Sequence, residues 1–278
     1  MEFDELDAGD YTVDVEATLS GSLSGFGSAE VAVTEGETAS CSVLMNKVYT
    51  AAQAAERIID NNGENWNIIV AGAIDDDELT EITGNLKDVI TNGCINLDLG
   101  RTTGLSSISA AKFQYCTALS GIVLPKGIES IDENAFDGCT SLASIEIPSG
   151  VTTIGDYAFK DCSVLECIDI PDTVTKIGLY AFWNCKAIKS VVIPDGVTTI
   201  GERAFEGCTA IETVTIPSRL TSIGQSAFTD NPIKTVYYGG TTEQWNELLS
   251  NLASNSFLSE LTKSPTIICT NGTITNNP

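Results

Sequence analysis

Nine cysteines, 38 carboxylates and not one histidine set the chemistry open to this 278-residue chain. Five of the thiols, Cys116, Cys139, Cys162, Cys185 and Cys208, recur every 23 residues. Zinc demands thiolates that converge tetrahedrally, usually from closely spaced pairs. A long fixed period instead sets thiols side by side along an axis, so these five read as small buried hydrophobes. Cys41, Cys94, Cys167 and Cys269 lie outside the row, and an odd total leaves a free thiol unless chains cross-link. Cys167 falls on an outward strand position and is expected to be the most accessible of them. The absence of histidine removes the commonest general base and the Ser-His-Asp and Cys-His mechanisms with it. Glu146 and Asp169, one period apart, could pair for glycosidase chemistry. A shallow strand surface offers no deep pocket for that reaction, so the chain is read as no enzyme. Asp75-Asp76-Asp77-Glu78 lacks the alternating ligands and the glycine of a calcium loop, and stands where a helix should begin. Asn271-Gly272-Thr273 matches a glycosylation sequon, but Asn-Gly is also the favoured hairpin turn. The residues call for no metal and no cofactor.

These groups are positioned by a repeat. A 23-residue unit opens at Ile108, Ile131, Ile154, Ile177, Ile200 and Ile223, as in Ile154-Gly155-Asp156-Tyr157-Ala158-Phe159. Phe recurs at 113, 136, 159, 182, 205 and 228. Leu119, Leu142, Leu165, Ile188 and Ile211 follow the cysteines by three, and Ile122, Ile145, Ile168, Val191 and Val214 come next. Then stand Leu124, Ile147, Ile170, Ile193 and Ile216, each followed by proline. Self-similarity at such a period marks a solenoid, whose coils stack like residue on like residue. The alternating, β-branched run before each proline reads as a short strand. The Ala-Phe segment is too short for a full helix and reads as one helical or 3₁₀ turn. The expected architecture is an α/β leucine-rich-repeat solenoid, with a parallel sheet on the concave face and short turns on the convex one.

The pattern Ile-Gly-x-x-Ala-Phe-x-x-Cys-x-x-Leu-x-x-Ile-x-Ile-Pro resembles the BspA-like bacterial leucine-rich repeats over about residues 95–240. That resemblance implies a secreted or surface-attached bacterial protein, associated with adhesion to host matrix proteins or to other cells. It implies no conserved catalytic site.

The chain divides into a β extension at 1–47, a helical run-in with the first coils at 48–107, the repeats at 108–240 and a cap at 241–278. Alternation over Tyr11–Leu19, Val31–Val33 and Ala39–Met45 predicts strands joined by Gly- and Ser-rich loops, notably 20–28. This segment resembles the last strands of small carboxypeptidase-regulatory-like β-sandwich modules of bacterial surface proteins. Spacing predicts helices over 50–60 and 77–91 that cover the first coil, strands at 66–70 and 95–99, and helices over 241–249 and 256–261. A hairpin over 265–274 closes the array. The acidic N-terminus lacks the basic and apolar regions of a signal peptide, so the chain is either cytosolic or targeted by a segment upstream.

Residues 1–100 hold 20 acidic and 3 basic side chains, against 18 and 11 in the rest. This field repels phosphate backbones and anionic lipid, which excludes nucleic acid as a partner and leaves membrane association to a segment outside this chain. Strand parity then gives two candidate binding surfaces for an extracellular protein or glycan. The sheet face presents Asp98, Val123, Glu146, Asp169, Val192, Thr215 and Tyr237. The turn face presents Tyr157, Leu179, Tyr180, Trp183 and Arg203, which offer more anchor chemistry. A binding or adhesion module is the first reading, and a spacer that holds another domain away from the cell surface is the second.

Overall fold

The computed structural model describes residues 2–3, 9–19, 22–33, 39–40, 46–59, 66–88, 94–251 and 266–275. Its coils lie flat upon each other. Phe113, Phe136, Phe159, Phe182, Phe205 and Phe228 are at most 1% exposed. Neighbouring rings stack in one dry column, with centroids 5.0–5.2 Å apart and planes within 3–8°. That spacing is close to the ~4.8 Å between paired strands, so one geometry serves both backbone and rings. The alanines before the phenylalanines and the cysteines after them are buried in parallel columns.

Three ladders bind the coils, two of them without a break. The predicted strands form the first, and all bonds between repeat coils in it are parallel. It falls into two sheets. One runs from Ser144–Glu146 through Leu119–Val123, Ile95–Thr103, Trp66–Ala73 and Asn46–Tyr49 to the antiparallel pair Ser22–Val33 and Gly9–Leu19. The other runs from Ser190–Val192 through Thr213–Ile216, Thr235–Tyr238 and Thr266–Cys269 to Gly272–Thr275. Between them, in the coil that carries Cys167, only the bridge from Glu146 to Asp169 remains.

The second ladder was not foreseen from sequence. Two-residue strands at Ser107–Ile108, Ser130–Ile131, Thr153–Ile154, Lys176–Ile177, Thr199–Ile200 and Ser222–Ile223 form a six-stranded parallel sheet with no interruption. The glycine that follows Ile154, Ile177, Ile200 and Ile223 lets coils approach closely here. A Cβ on Gly201 would lie 2.4 Å from the backbone of Gly178.

The third ladder runs through the turn segments. Within each, amide groups bond three residues back, as Cys162 N–H does to Phe159 O. Alternate amides instead point along the axis: Tyr157, Phe159 and Asp161 donate to Leu179, Ala181 and Trp183 of the next coil. Left-handed residues at two fixed points re-aim the chain between these duties, Asn134, Tyr157, Tyr180 and Arg203 at one and Asp161 and Asn184 at the other. Their φ values of 54–64° cost about 1–2 kcal/mol each for a side-chain-bearing residue. The inter-coil bonds offset that strain, and a repeating 3₁₀ helix could not make them.

The run-in packs as the apolar spacing predicts. Helices α1 (Ala51–Ile59) and α2 (Asp76–Asp88) precede the first full coil, and α3 (Thr242–Asn251) follows the last. All three start with reciprocal capping bonds: Thr50 with Gln53, Asp75 with Glu78 and Thr241 with Gln244. The Asp75–Glu78 run is thus a helix start. Helix α2 buries Leu79, Ile82 and Leu86 completely and lies against the first turn segment. There Lys112 Nζ, 7% exposed, donates to Asp76 Oδ2 at 2.6 Å, Thr80 Oγ1 at 2.7 Å and Asp76 O at 3.1 Å. At the far end Trp245 of α3 seals the core edge-on to Tyr238. Asn271, in the closing hairpin, accepts from Thr242 N–H and so also serves α3.

One expectation is corrected here. The Gly- and Ser-rich stretch expected as a loop over 20–28 lies mostly within the strand Ser22–Val33. Pairing along most of Gly9–Leu19 outweighs the poor strand propensity of glycine. The helix expected over 256–261 and Cys41 lie outside the described residues.

Candidate functional site

The sheet face is built of two outward rows. One is small and polar: Asn67, Asn96, Gly121 and Ser144, then Ser190, Thr213, Thr235 and Thr266 beyond the break. The other holds the seven residues picked out by parity. Val123, Val192 and Tyr237 are 47%, 61% and 46% exposed, Glu146 and Asp169 are exposed, and Asp98 and Thr215 are half-buried.

The structure brings four of the seven together. Asp98, Val123, Glu146 and Asp169 line an open groove of about 1200 Å³. Lys126, Pro148, Ser149 and Pro171 stand where the strands end and form its rim. Its N-terminal end is lined by Asn67, Ile68 and Ile69 of the strand Trp66–Ala73, one strand beyond Ile95–Thr103. Val192, Thr215 and Tyr237 lie beyond the ladder break, outside the groove.

Within the groove the polar groups differ in how they are held. Asn96 donates to Asn67 Oδ1 and accepts from Ser120 Oγ, and Asp98 Oδ1 accepts from Gly100 N–H. Gly121 leaves room for Asn96, whose Oδ1 would meet a Cβ there at 2.7 Å. Glu146 and Asp169 face each other across the single bridge, with no ion pair to either among the described residues.

On the turn face, Tyr157, Tyr180, Trp183 and Arg203 do gather into one cluster, but through partners of their own. Two rows run along this face, one at 134, 157, 180 and 203 and one at 114, 137, 160, 183 and 206. In the first, Tyr157 and Tyr180 stack at 5.0 Å, and the Arg203 guanidinium lies 5.7 Å from the Tyr180 ring centroid. In the second, Gln114 donates to Asp137, Lys160 pairs with Asp137 at 3.1 Å, and the same ammonium lies over Trp183. Arg203 and Glu206 join the rows, as do Tyr180 and Trp183 edge to face. Desolvation works against the Lys160 charge, yet bonds to Asp161 and Asp137 hold its pKa above the ordinary lysine value. Tyr180 thus meets both Tyr157 and Arg203, and Tyr157 and Trp183 each have one ring face engaged from within the molecule.

The cysteine row has a polar duty that periodicity alone did not reveal. Each thiol lies near a phenylalanine carbonyl of the coil before: Cys139, Cys162, Cys185 and Cys208 reach Phe113, Phe136, Phe159 and Phe182 O at 3.0–3.2 Å. Cys116 reaches Thr83 O of α2, which stands in for the missing coil. Asn231 continues the row, its Nδ2 donating to Phe205 O at 3.0 Å. Burial pushes the thiol pKa of Cys116 and Cys208 up to about 12. Cys167, in contrast, is exposed.

A family model for the BspA type leucine-rich repeat region matches residues 106–238 in six copies, the stretch that holds the Phe column. This part of the chain is a BspA-type leucine-rich repeat region. Among solved structures, the chain is similar to a leucine-rich-repeat protein of T. pallidum, at 29% identity over 52% of this chain and 73% of that one, with a TM-score of 0.43. It is also similar to a leucine-rich cell surface protein of Faecalibacterium prausnitzii, at 25% identity over 65% and 55%, TM-score 0.47. The pneumococcal vaccine antigen PcpA aligns at 16% identity over 73% and 56%, TM-score 0.42. The chain thus spans little more than half the length of the last two. No match was found among the curated proteins. The six matched BspA-type copies include the part of the groove from Val123 to Asp169, whereas Asn67, Asn96 and Asp98 come from the run-in before them.

Proposed function

We propose that this BspA-type repeat protein is a non-catalytic cell-surface binding module that holds an extracellular protein or glycan against its sheet face. The observation that carries the reading is the groove across the sheet, with an exposed valine and two exposed carboxylates on its floor that have no ion-pair partner among the described residues. Cores bury valine and surfaces pair charge, so a row that does neither fits a surface completed by a partner. The turn face is the weaker candidate, because its aromatic faces and cations already serve each other.

The test is retention on immobilised matrix proteins and mucin glycans of the wild type, Asp169→Lys and Trp183→Ala. Wild type and Trp183→Ala should be retained, and Asp169→Lys released. Release of Trp183→Ala alone would move the site to the turn face. Equal retention of all three would leave a spacer as the better account.

A further inference from the structure

We propose that the occupant of the groove is an extended peptide segment with basic side chains four residues apart and an apolar one between them. This rests on the binding reading above and names the class of partner. Stacked coils place like beside like, and here that rule sets Glu146 against Asp169 in register. Like charges directly opposite in a sheet destabilise it. On the turn face two other pairs of acids are each bridged by a cation: Asp137 and Asp161 share Lys160, and Glu202 and Glu206 share Arg203. In the groove no cation pairs with Glu146 or Asp169 among the described residues, and the one rim lysine, Lys126, is exposed. A cationic ligand relieves a repulsion that the fold itself leaves standing.

Geometry sets the form of that ligand. From Asn67 to Asp169 the groove crosses five neighbouring strands, about 19 Å at strand spacing. An extended chain advances about 3.3 Å per residue, so about six residues fill it. Side chains on one face recur about every 6.7 Å. Two of them four residues apart reach Asp98 and Asp169, which lie three strand spacings, about 14 Å, apart. The side chain midway between, about 7 Å from either end, falls between Val123, which is 47% exposed, and Glu146. Glu146 lies one strand spacing, about 5 Å, from the second cation. A sugar chain is the poorer fit, since no aromatic ring lines the groove for it to stack on.

The experiment is fluorescence anisotropy of the full chain with labelled Lys-Thr-Val-Thr-Lys and Gln-Thr-Val-Thr-Gln peptides, at low and high salt. The lysine peptide should bind at least about tenfold tighter than the glutamine peptide and lose that advantage in high salt. The double variant Glu146→Gln/Asp169→Asn should bind the lysine peptide about tenfold weaker, while its urea midpoint stays equal to or above that of the wild type. Equal affinity for both peptides, an unaffected double variant, or preference for a neutral glycan would each overturn the proposal. If Asp169→Lys is still released from the matrix in that event, only the identity of the occupant falls; if it is retained, the sheet face falls too.

Discussion

Replacing Cys162 by serine and by alanine distinguishes a row of donors from a row of small hydrophobes. Cys162 is fully buried, and its thiol lies 3.2 Å from Phe136 O, which also accepts from Cys139 N–H. Alanine deletes the sulfur. The cavity costs about 0.5 kcal/mol, at ~24 cal/mol per Å³ over roughly 20 Å³. Lost apolar transfer adds about 1 kcal/mol. Loss of a weak bond to a carbonyl that keeps one other donor adds about 0.5–1 kcal/mol. The sum is about 2 kcal/mol. Serine leaves a smaller void and restores a stronger donor, so its cost should be about 1 kcal/mol less. A purely apolar row requires the reverse order, because burying a hydroxyl is worse than burying a methyl. Urea unfolding followed by circular dichroism, on both variants at Cys139, Cys162 and Cys185, reads the order directly. Serine more destabilising than alanine at all three would refute the hydrogen-bonding role. Asn231 predicts the opposite, since it keeps the donor where the array is closing, although its Oδ1 is buried without a hydrogen-bond partner.

Two further outcomes follow from the charged and thiol groups. Asp76→Asn should cost about 1–2 kcal/mol more than Lys112→Met, because the first strands a buried ammonium while the second leaves a carboxylate 53% exposed to water. The Lys112 hydrogen bond, then that of Ser109, holds the Asp76 pKa below its ordinary 3.8. Its contribution is therefore complete above the unfolded value and lost as pH falls through the folded one. The gap in urea midpoint between wild type and Asp76→Asn should be wide at neutral pH and close on acidification; a constant gap would refute the linkage. Under native conditions at mild alkaline pH, a thiol reagent should modify Cys167 well before Cys162, read by mass spectrometry of the peptides. Prior labelling of Cys162 would defeat the burial argument.

How much of this could be read from the chain follows from what repetition encodes. Columns of Phe, Cys and Ile were legible because each coil repeats the same apolar type at the same place, and burial admits no exception along a shared core. The outward strand residues were legible from parity alone. The second strand ladder was hidden because two-residue strands show no alternation. The left-handed positions were hidden for a different reason: Asn134, Tyr157, Tyr180 and Arg203 share a conformation but not one side-chain type. Backbone demands common to every coil leave no mark where side chains are free to vary. The groove was only half legible. Its floor follows from parity, but that four of the seven residues share one groove while three stand apart depends on the break in the strand ladder after Asp169, which the unbroken repeat does not show.

The two faces obey the same stacking rule with opposite results, and that contrast bears most of the functional argument. On the turn face, successive residues at 137, 160 and 183 are acid, base and aromatic, so each step along the axis is attractive. On the sheet face the steps from Asp98 run through Val123 to Glu146 and Asp169, and the last is repulsive. If stability alone had shaped both faces, the second could have been patterned like the first at no cost to the core, because outward residues touch none of it. The main strand ladder also narrows to its single bridge at this step, while the six-stranded ladder and the Phe column continue unbroken behind it. Repulsion at the surface is thus set where the main ladder is reduced to one bridge and where the remaining columns hold the coils together. A cation bound between Glu146 and Asp169 would act on that step directly, drawing two coils together on the side where the fold itself binds them least.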